Sequence, residues 1–462
     1  MTTVPWSTRF AYALPAFALA VVGIPIYVYI PKFYTDVVGA DIAMVGFVLL
    51  AIRVFDAVSD PVIGMLSDRT HSRFGRRRPW IGFGVFPLVA SILFLFNPPE
   101  LSPNAAVAWF GIGVFLVFLS WTVITVPYES LGPEITFDHD ERTSILSLRD
   151  GMLILGTVVA AASPAIVEAV LGLGDDAAGE RRKFSAVALL YAPLIIGACL
   201  LCAVVVRERA RNVAAAPVSN PLQDMRRLTG NRPFMILLAS YTIAAIGSSL
   251  PATLIPYYVE YVIGDPDVEA FLLLYFVTGI ALLPLWVWAA KRIGKKWAWI
   301  SAASLNSATF AGVFFLGRGD VTEYAILVCL SGIGFGATLA LPSSMQADVI
   351  DYEELRTGSR REGEIIGVWA VSKKLAAAFG VFVAFPILGY VGYEPNVEQS
   401  DRVQLALRTL YALVPSIFNL IGLLIALAYP IDRAMHRAIL DAVDRRRAGE
   451  DAPDPLPGGA TP

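Results

Sequence analysis

The stretch Arg53-Val-Phe-Asp56-Ala-Val-Ser-Asp60-Pro-Val-Ile-Gly64 decides the fold, because it places two aspartates inside an otherwise apolar segment. A four-residue step puts Asp56 and Asp60 on one face of a helix. A carboxylate in the hydrocarbon of a bilayer costs at least about 2.5–3.5 kcal/mol. The pair therefore predicts a site where a cation, a proton or a basic partner neutralises the charges. A coupling-ion site is favoured, and a structural ion-pair network that includes Arg53 is the alternative.

The chain as a whole has the composition of a polytopic helical membrane protein. Hydrophobic residues make up 56% of its 462 residues, and charged residues only 16%, well below the roughly 25% of soluble domains. The apolar segments predict an all-α integral membrane protein with twelve transmembrane helices. Their approximate spans are 10–33, 42–66, 80–97, 104–128, 146–172, 185–206, 234–262, 268–290, 298–317, 322–346, 363–392 and 404–429.

The distribution of charge predicts how the chain is oriented. Arginine and lysine residues crowd alternate loops, such as 69–78, 207–232 and 291–296, while the intervening loops carry mainly aspartate and glutamate. By the positive-inside rule, this pattern predicts a multi-pass protein of the cell (inner) membrane with both termini in the cytoplasm.

A repeat divides the chain into two six-helix halves. The segment Ile30-Pro-Lys-Phe-Tyr-Thr-Asp-Val-Val-Gly39 closes the first span, and Ile255-Pro-Tyr-Tyr-Val-Glu-Tyr-Val-Ile-Gly264 closes the seventh, at an offset of 225 residues (255 minus 30). Such a repeat predicts two parallel halves related by an axis along the membrane normal. The predicted units are an N-terminal half with the cation site (1–206), a cytoplasmic connector (207–232), a C-terminal half (233–430) and a cytoplasmic tail with a disordered end (431–462).

The loop at residues 64–78 has a second motif, in which Gly, Asp-Arg and Gly-Arg-Arg follow one another. The glycine that opens it permits close helix approach, and its arginines suit anionic lipid and the cytoplasm. This motif resembles the signature loop of the major facilitator superfamily, where its role is conformational. The resemblance implies the major facilitator fold and gating roles for Gly64, Asp68, Arg69, Gly75 and Arg76.

Several segments together resemble one branch of that superfamily, the glycoside–pentoside–hexuronide:cation symporters. They are residues 56–64, 126–136, 347–352 and 392–397, so that the resemblance covers nearly the whole chain. It implies that the two aspartates bind Na⁺, Li⁺ or a proton, and that Thr122 and Lys374 belong to the same cation site. Two carboxylates and a hydroxyl also suit a hard monovalent cation on physical grounds. Two close acids can equally share a proton, so the coupling ion remains open.

The sugar site of that family is matched less completely. Its two acids correspond here to Ala20 and Thr125, and a glutamine of the family is replaced by Trp369, whereas Tyr27 and Arg149 match. The resemblance implies substrate-binding roles for Tyr27, Thr125, Arg149 and Trp369. Without two carboxylates that accept hydrogen bonds from vicinal hydroxyls, a galactoside held in that way is disfavoured. Another glycoside, an acidic sugar paired with Arg149, and an amphipathic molecule all remain open.

Two of these assignments have structural alternatives. Arg149 could serve only as a partner for the neighbouring Asp150, and Trp369 could serve only in packing between helices. Further charged residues at the cytoplasmic end of the bundle are predicted to be gating residues, which form ion pairs between the halves that open and close during alternating access. They are Glu129, Glu134, Arg142 and Asp351.

The sequence thus predicts a cation-coupled symporter of a sugar, glycoside or hexuronide, with its substrate cavity near the membrane midplane. A symporter of an amphipathic solute such as a lysophospholipid is the first alternative, and a non-transporting sensor is the second. The sequence contains no nucleotide-binding loop, metal cluster or catalytic triad. We therefore expect no enzymatic activity, no cofactor besides the coupling ion and no nucleic-acid partner; the lipid bilayer and a small molecule are the expected partners.

Overall fold

The computed structural model describes residues 4–136, 139–174, 176–208, 228–358, 362–450 and 452–456. These residues form helices and no strand. The helices are α1 (Trp6–Val38), α2 (Ile42–Arg69), α3 (Arg78–Phe96), α4 (Pro103–Ile135), α5 (His139–Leu171), α6 (Ala177–Val205), α7 (Arg232–Ile263), α8 (Val268–Ala281), α9 (Leu283–Ile293), α10 (Lys295–Val313), α11 (Val321–Thr357), α12 (Glu362–Val391), α13 (Asp401–Leu427) and α14 (Arg433–Arg447).

The structure confirms the all-α membrane fold, but with fewer clearly apolar spans than the twelve predicted. Ten of the described helices are long and apolar enough to cross a bilayer. Helices α8 and α9, bent by 42° at their junction, together make an eleventh. Helix α10 stands where the ninth span is predicted and packs against α11 and α13. Its lysines, serines and asparagine make it too polar to count among them.

The described helices fall into two groups that follow the predicted halves. In the N-terminal half α1 packs against α5 and α6, and in the C-terminal half α7 packs against α12 and α13. Among the described residues, the halves meet mainly along three helix pairs: α2 with α12, α5 with α8, and α1 with α7. Most of the predicted connector, residues 209–227, lies outside the described residues.

The repeated segment has the same structure in both halves. Helices α1 and α7 each finish in a π-helical turn, at Phe33–Val38 and at Val259–Ile263. A glycine with a positive φ follows each turn, Gly39 at 86° and Gly264 at 81°. Residues with a side chain rarely adopt this backbone conformation, which explains why the repeat ends in glycine both times. The repeat therefore reflects a shared way of ending the first helix of each half.

The buried carboxylate of Asp36 forms hydrogen bonds between the halves at the end of the bundle where α1 and α7 end. Asp36 accepts hydrogen bonds from the hydroxyl groups of Tyr393, at 2.7 Å, and Tyr261, at 2.8 Å. Beside it, Lys32 forms an ion pair with Glu260 across the same boundary. Because these contacts join α1 to α7 and to the loop after α12, we call this end of the bundle the closed end.

The opposite end, which carries both chain termini, holds its charged residues mainly within each half. Glu134 lies 3.0 Å from the guanidinium of Arg76 and 3.1 Å from that of Arg77, which also contacts Asp68 at 3.0 Å. All four residues belong to the N-terminal half. The interpretation of Glu134 as a member of an ion pair between the halves therefore does not match its described partners.

The other predicted gating residues at this end have similar surroundings. Gly64 faces Val126 of α4, Arg69 is exposed where α2 ends, and Arg142 donates a long hydrogen bond of 3.5 Å to the carbonyl of Thr136. These positions place the signature loop and its neighbours against the N-terminal half.

Glu208 organises the start of α3, a role that the sequence analysis missed. Its carboxylate accepts hydrogen bonds from the backbone N–H groups of Arg76 and Arg77, each at 2.7 Å, and of Arg78 at 3.0 Å. A carboxylate at a helix N-terminus satisfies free donors and complements the helix dipole. The chain reaches this position through Gly75, whose φ of 108° favours glycine.

The tail helix α14 docks on α11 through His436. Its Nε2 atom lies 3.0 Å from Asp351 and 3.4 Å from Asp348, and the hydrogen bond with Asp351 raises the pKa of His436 above its ordinary value. Asp351, predicted as a gating residue, thus has a described partner in the tail of its own half.

The segment that follows α14 also packs against α11. Tyr352 donates a hydrogen bond of 2.9 Å to Asp454, while Ala452 and Leu456 are buried. Residues 452–456 therefore contact α11, although they lie in the tail whose end the sequence predicts to be disordered. Residues 451 and 457–462, on which the rest of that prediction falls, lie outside the described residues.

We expect Asp36→Asn to open the closed end. The amide keeps one acceptor but loses the charge, and a hydrogen bond to a charged group contributes about 1.5–3 kcal/mol. Spin labels on cysteines at Glu100 and Glu398, in a background without the native cysteines, would report the distance across this end. A longer-distance population should appear in Asp36→Asn.

The matched control for this experiment is Asp41→Asn in the neighbouring loop. Asp41 caps α2 by accepting the N–H of Met44 at 2.9 Å, and asparagine caps helices equally well. Identical distance distributions in Asp36→Asn and Asp41→Asn would contradict the role of Asp36.

Candidate cation and substrate sites

The four residues predicted to bind the cation come together between α2, α4 and α12. The hydroxyl of Thr122 donates to Asp56 at 2.9 Å and lies 3.2 Å from Asp60. The ammonium of Lys374 lies 3.0 Å from Asp56 and also pairs with Asp60. Asp56 and Thr122 are buried, with 6% and 1% of their surfaces exposed. The geometry therefore agrees with a single charged site built from these four side chains.

The ammonium of Lys374 contacts the same carboxylates that a bound cation would contact. The oxygens of Asp56, Asp60 and Thr122 are hard ligands of the kind that Na⁺ or Li⁺ prefers. The ammonium already interacts with both carboxylates. Because α12 belongs to the C-terminal half and α2 to the N-terminal half, this ion pair also links the halves.

Arg53 is not part of this site in the structure, which answers the alternative left open by the sequence. Its guanidinium donates a hydrogen bond of 3.0 Å to the hydroxyl of Tyr27. It also lies over the rings of Tyr27 and Phe118, at 4.2 and 4.9 Å from their centroids. Such cation–π contacts stabilise a positive charge without a carboxylate partner. The described partners of Arg53 are therefore aromatic.

A cavity of about 330 Å³ lies beside the cation site, within the N-terminal half. Three of the four predicted substrate-binding residues line it: Tyr27, Thr125 and Arg149. Glu129, predicted as a gating residue, lines the same cavity. We call this space the N-half cavity. It brings a carboxylate, a guanidinium and hydroxyl groups together around one volume.

The position of Glu129 follows from the periodicity of α4. Thr122, Thr125 and Glu129 are spaced at i, i+3 and i+7, which places them on one face of a helix. The first residue of this series belongs to the cation site and the other two line the N-half cavity. The charge of Glu129 interacts with those of Arg149 and Asp60. The spacing in the sequence would have been enough to group Glu129 with the two threonines.

Arg149 both lines the cavity and pairs with its neighbour. Its guanidinium lies 2.6 Å from the carboxylate of Asp150, whose side chain is 58% exposed. An exposed ion pair of this kind contributes little to stability, about 0–1 kcal/mol. The pairing that the sequence left as an alternative therefore exists, and it still leaves Arg149 on the cavity wall.

Trp369 is the predicted substrate-binding residue that the structure does not bring to this cavity. Its indole stacks on the ring of Tyr241, with centroids 4.3 Å apart and planes inclined by 29°. It is buried in the apolar core of the C-terminal half. This surrounding favours the packing role, the alternative that the sequence left open.

A larger cavity of about 440 Å³ lies within the C-terminal half, and we call it the C-half cavity. Its walls come mainly from α7, α8, α10, α11 and α13, and most of the lining residues are apolar or aromatic. Ile24 of α1 borders both cavities. Each volume falls in the range of about 300–1,000 Å³ that is typical of small-molecule sites.

A helical bundle of two halves, with a charged site at their junction and cavities on either side, defines a secondary transporter of the major facilitator fold. Residues 11–433 match the family model described as MFS/sugar transport protein. The chain belongs to this family; it is a membrane transporter and not an enzyme. The resemblance to glycoside–pentoside–hexuronide:cation symporters is thereby confirmed.

Individual relatives agree with this assignment. The chain is 27% identical to the isoprimeverose transporter of Lactiplantibacillus pentosus, over 97% of this chain and 93% of that protein. It is 28% identical to the putative glycoside/cation symporter YagG of Escherichia coli (strain K12), over 98% of each chain. The fold resembles a solved bacterial homologue of the human lysosomal transporter Spinster, in an inward-facing and unoccupied conformation. The TM-score is 0.64 at 13% identity, covering 97% of this chain and 98% of that one.

We expect Lys374→Met to make stability dependent on an added cation. Without the ammonium, Asp56 and Asp60 are two close carboxylates with no basic partner, and breaking a buried ion pair costs about 3–5 kcal/mol. The apparent melting temperature in choline buffer should fall by several degrees, and Na⁺ or Li⁺ should restore part of the loss. Lys291→Met, at an exposed lysine, is the control. An equal fall in the melting temperature of Lys374→Met with and without Na⁺ or Li⁺, at every pH, would contradict a site shared by the lysine and a cation.

Proposed function

We propose that the protein couples the downhill movement of Na⁺, or alternatively of H⁺ or Li⁺, to the uptake of a neutral glycoside. One observation carries the proposal: a single face of α4 presents Thr122 to the two aspartates and Thr125 and Glu129 to the adjacent cavity. The cation and the substrate would thus share a wall. The relatives named as glycoside and isoprimeverose carriers support the same substrate class.

The coupling step would act through Lys374. A cation bound at Asp56, Asp60 and Thr122 competes with the ammonium for the same oxygens, so its arrival weakens the link between α2 and α12. If the cation also improves substrate binding, the substrate must improve cation binding by the same factor, because coupling is reciprocal. Typical coupling free energies are about 1–3 kcal/mol, or roughly 5- to 150-fold in affinity.

The N-half cavity favours a neutral sugar over an acidic one. Arg149 can donate a pair of hydrogen bonds, and Glu129 can accept a pair from vicinal hydroxyls. The guanidinium of Arg149 is already paired with Asp150, so that an ionised Glu129 would leave an excess of negative charge at the cavity. An added carboxylate on a hexuronide would face the negative charge of Glu129 as well as the positive charge of Arg149. Glu129 thus supplies an acid that the sequence comparison had not found in the sugar site.

The basic loops support an orientation in which both termini are cytoplasmic. In that orientation, the closed end faces the outside, and the contacts of Asp36 hold the halves together there. The described conformation is then an inward-facing one, with the membrane of residence the cell (inner) membrane. We propose no oligomeric state.

An amphipathic solute is the second candidate, and one observation favours it. The C-half cavity is lined mainly by apolar residues and is larger than the N-half cavity. A lysophospholipid would use such a space for its acyl chain. Its phosphate, however, would lie near the carboxylate of Glu129 in the polar cavity. A neighbouring like charge disfavours the binding of a phosphate there.

We expect Asp60→Asn to abolish cation-driven accumulation without preventing insertion. The amide cannot carry the negative charge that a coupling cation needs, although it can still accept from Thr122. Uptake of radiolabelled glycosides into proteoliposomes, with and without a Na⁺ gradient, measures the effect. Glu100→Gln, in an exposed loop, is the control. Concentrative uptake by Asp60→Asn at the parental level would rule out this cation site.

We expect Glu129→Gln to weaken sugar binding by roughly 10- to 100-fold. The reason is that a hydrogen bond to a charged acceptor contributes about 1.5–3 kcal/mol. Calorimetry on the purified protein measures sugar affinity, while the shift of the melting temperature by Na⁺ alone reports the cation site. That shift should persist in Glu129→Gln, and its loss together with unchanged sugar affinity would show that Glu129 serves the cation instead.

A further inference from the structure

The loops before α3 and α10 are built alike, although they belong to different halves. A glycine with a positive φ precedes each helix, Gly75 at 108° and Gly294 at 88°. A basic side chain after each glycine donates hydrogen bonds to carbonyl groups where the last membrane-spanning helix of the same half ends. Arg78 does so at the end of α6, and Lys296 does so at the end of α13. The two loops are therefore equivalent structures at the end of the bundle that carries both termini.

The equivalent loops differ in how the following helix is capped. In the N-terminal half, the carboxylate of Glu208 accepts the first N–H groups of α3 and would lie 2.6 Å from a Cβ atom on Gly75. Helix α10 begins without a side-chain cap. Apart from chain neighbours, no atom of the described residues lies within 4 Å of the Cβ position of Gly294. The acid that follows α13, Asp432, caps α14 instead. The N-terminal half thus supplies its own anion where the C-terminal half leaves open space.

Basic side chains converge on this open space. Arg433 of α14 donates a hydrogen bond of 3.1 Å to the carbonyl of Lys291, which lies just before the glycine. Arg437 lies one turn further along α14, and Arg292 lies in the last turn of α9. None of these three arginines forms an ion pair with a described carboxylate, and residues 282–297 contain no acid. The start of α10 therefore carries positive charge that the described side chains do not neutralise.

Two exposed tryptophans mark the level of the membrane–water interface at this position. Trp288 is 56% exposed and Trp297 is 50% exposed. The guanidinium of Arg292 and the ammonium of Lys296 each lie 5.6 Å from the centroid of one of these rings. Tryptophan is enriched where lipid headgroups meet the hydrocarbon. The positive charge thus lies at the depth of the headgroups.

An apolar surface leads from the same position into the hydrocarbon. Leu420, Leu424 and Leu427 of α13 are spaced at i, i+4 and i+7, which places them on one helix face, and each is exposed. The carbonyl of Leu427 accepts a hydrogen bond from Lys296, so this face ends at the start of α10. A molecule with an anionic head and apolar chains matches both surfaces at once.

We propose that the start of α10, together with Arg292, Lys296 and Arg433, binds the headgroup of an acidic phospholipid. Its phosphate takes the role that the carboxylate of Glu208 has in the N-terminal half. Free N–H groups at a helix start favour an anion, and arginine presents parallel donors that match phosphate oxygens. Basic pockets of this kind between membrane helices suit acidic headgroups. We call this position the lipid site; it is independent of the transported substrate.

A zwitterionic lipid is a poorer ligand for the lipid site. Phosphatidylcholine carries its phosphate together with a quaternary ammonium, which the neighbouring arginines repel, whereas phosphatidylglycerol has a net negative charge. A soluble phosphate compound would gain the same charge contacts but nothing from the exposed leucines of α13. The structure therefore favours an acidic lipid over both.

Native mass spectrometry of the purified full-length protein in detergent tests this preference. Dioleoylphosphatidylglycerol should bind at least about 10-fold more tightly than dioleoylphosphatidylcholine. Millimolar sn-glycerol 3-phosphate, which has the phosphate without acyl chains, should not compete. Equal affinities for the two lipids would overturn the proposal, and displacement of the lipid by glycerol phosphate would assign the site to a soluble phosphate compound instead.

The double variant Arg292→Gln with Arg433→Gln locates the site. Each basic side chain near an anionic lipid contributes roughly 5-fold in affinity, so the loss for phosphatidylglycerol should be about 10- to 30-fold, with phosphatidylcholine unaffected. The control is Arg73→Gln with Arg445→Gln, which removes two exposed arginines from the same end of the bundle. An equal loss in both double variants would show a general effect of charge and overturn the lipid site.

Arg433→Glu supplies an independent test, because it gives the C-terminal half a carboxylate of its own beside α10. Phosphatidylglycerol should raise the melting temperature of the parental protein but not that of Arg433→Glu, whereas Arg433→Gln should keep part of the rise. Comparing these single variants needs no double substitution to fold. A rise in Arg433→Glu as large as in the parental protein would overturn the proposal.

Discussion

The structure depends on one unbalanced set of charges in the membrane interior. Asp56 and Asp60 would carry two negative charges when both are ionised, whereas Lys374 supplies a single positive one. Buried charges are tolerated only when they are paired and hydrogen-bonded. The lysine and the hydroxyl of Thr122 satisfy the pair in part, and one negative charge is left over. A site with this deficit can take up one more positive charge, as a metal cation or as a proton, at little cost in new structure.

The charged site lies at the contact between the two halves, so that a change of its charge affects how the halves are joined. The aspartates belong to α2 and the lysine to α12, and these two helices form the broadest contact between the halves. In the proposed coupling step, neutralising the aspartates by another cation would release the ammonium that bridges the two helices. At the closed end, by contrast, Asp36 has phenolic donors from two separate segments of the C-terminal half. The halves are thus joined at two levels, and the proposed cation site lies at the inner one.

The two halves share their architecture but differ in chemistry. The N-terminal half offers a carboxylate, a guanidinium and hydroxyl groups, and the C-terminal half offers aromatic faces. The repeated segment gives α1 and α7 the same kind of helix end, while the cavities of the two halves differ.

The four members of the charged site could be grouped from the sequence because they are recognisable at short range or by family resemblance. The step from Asp56 to Asp60 defines a helix face, and the apolar surroundings of Lys374 demand an acidic partner. The predictions for Asp351 and Trp369 depended on which helix lies opposite, and no spacing within one segment contains that information. For Glu129, by contrast, its spacing from Thr122 and Thr125 on α4 did contain the information. Glu208 was missed because its partners at residues 76–78 lie about 130 positions away in the chain. Helix α10 occupies the position of the predicted ninth span, but its polar residues keep it out of the set of clearly apolar helices.

The π-helical turns have a consequence for how this family can change over evolutionary time. A π turn holds one residue more than the surrounding α-helix, and such turns concentrate at functional positions. Those at Phe33–Val38 and Val259–Ile263 stand just before the glycines that end α1 and α7. Loss of one residue there would leave a regular helix, yet it would turn every following side chain by about 100°. Asp36 and Tyr261 would then face away from each other. A one-residue insertion or deletion at either of these two turns would therefore decide whether the halves can meet at the closed end.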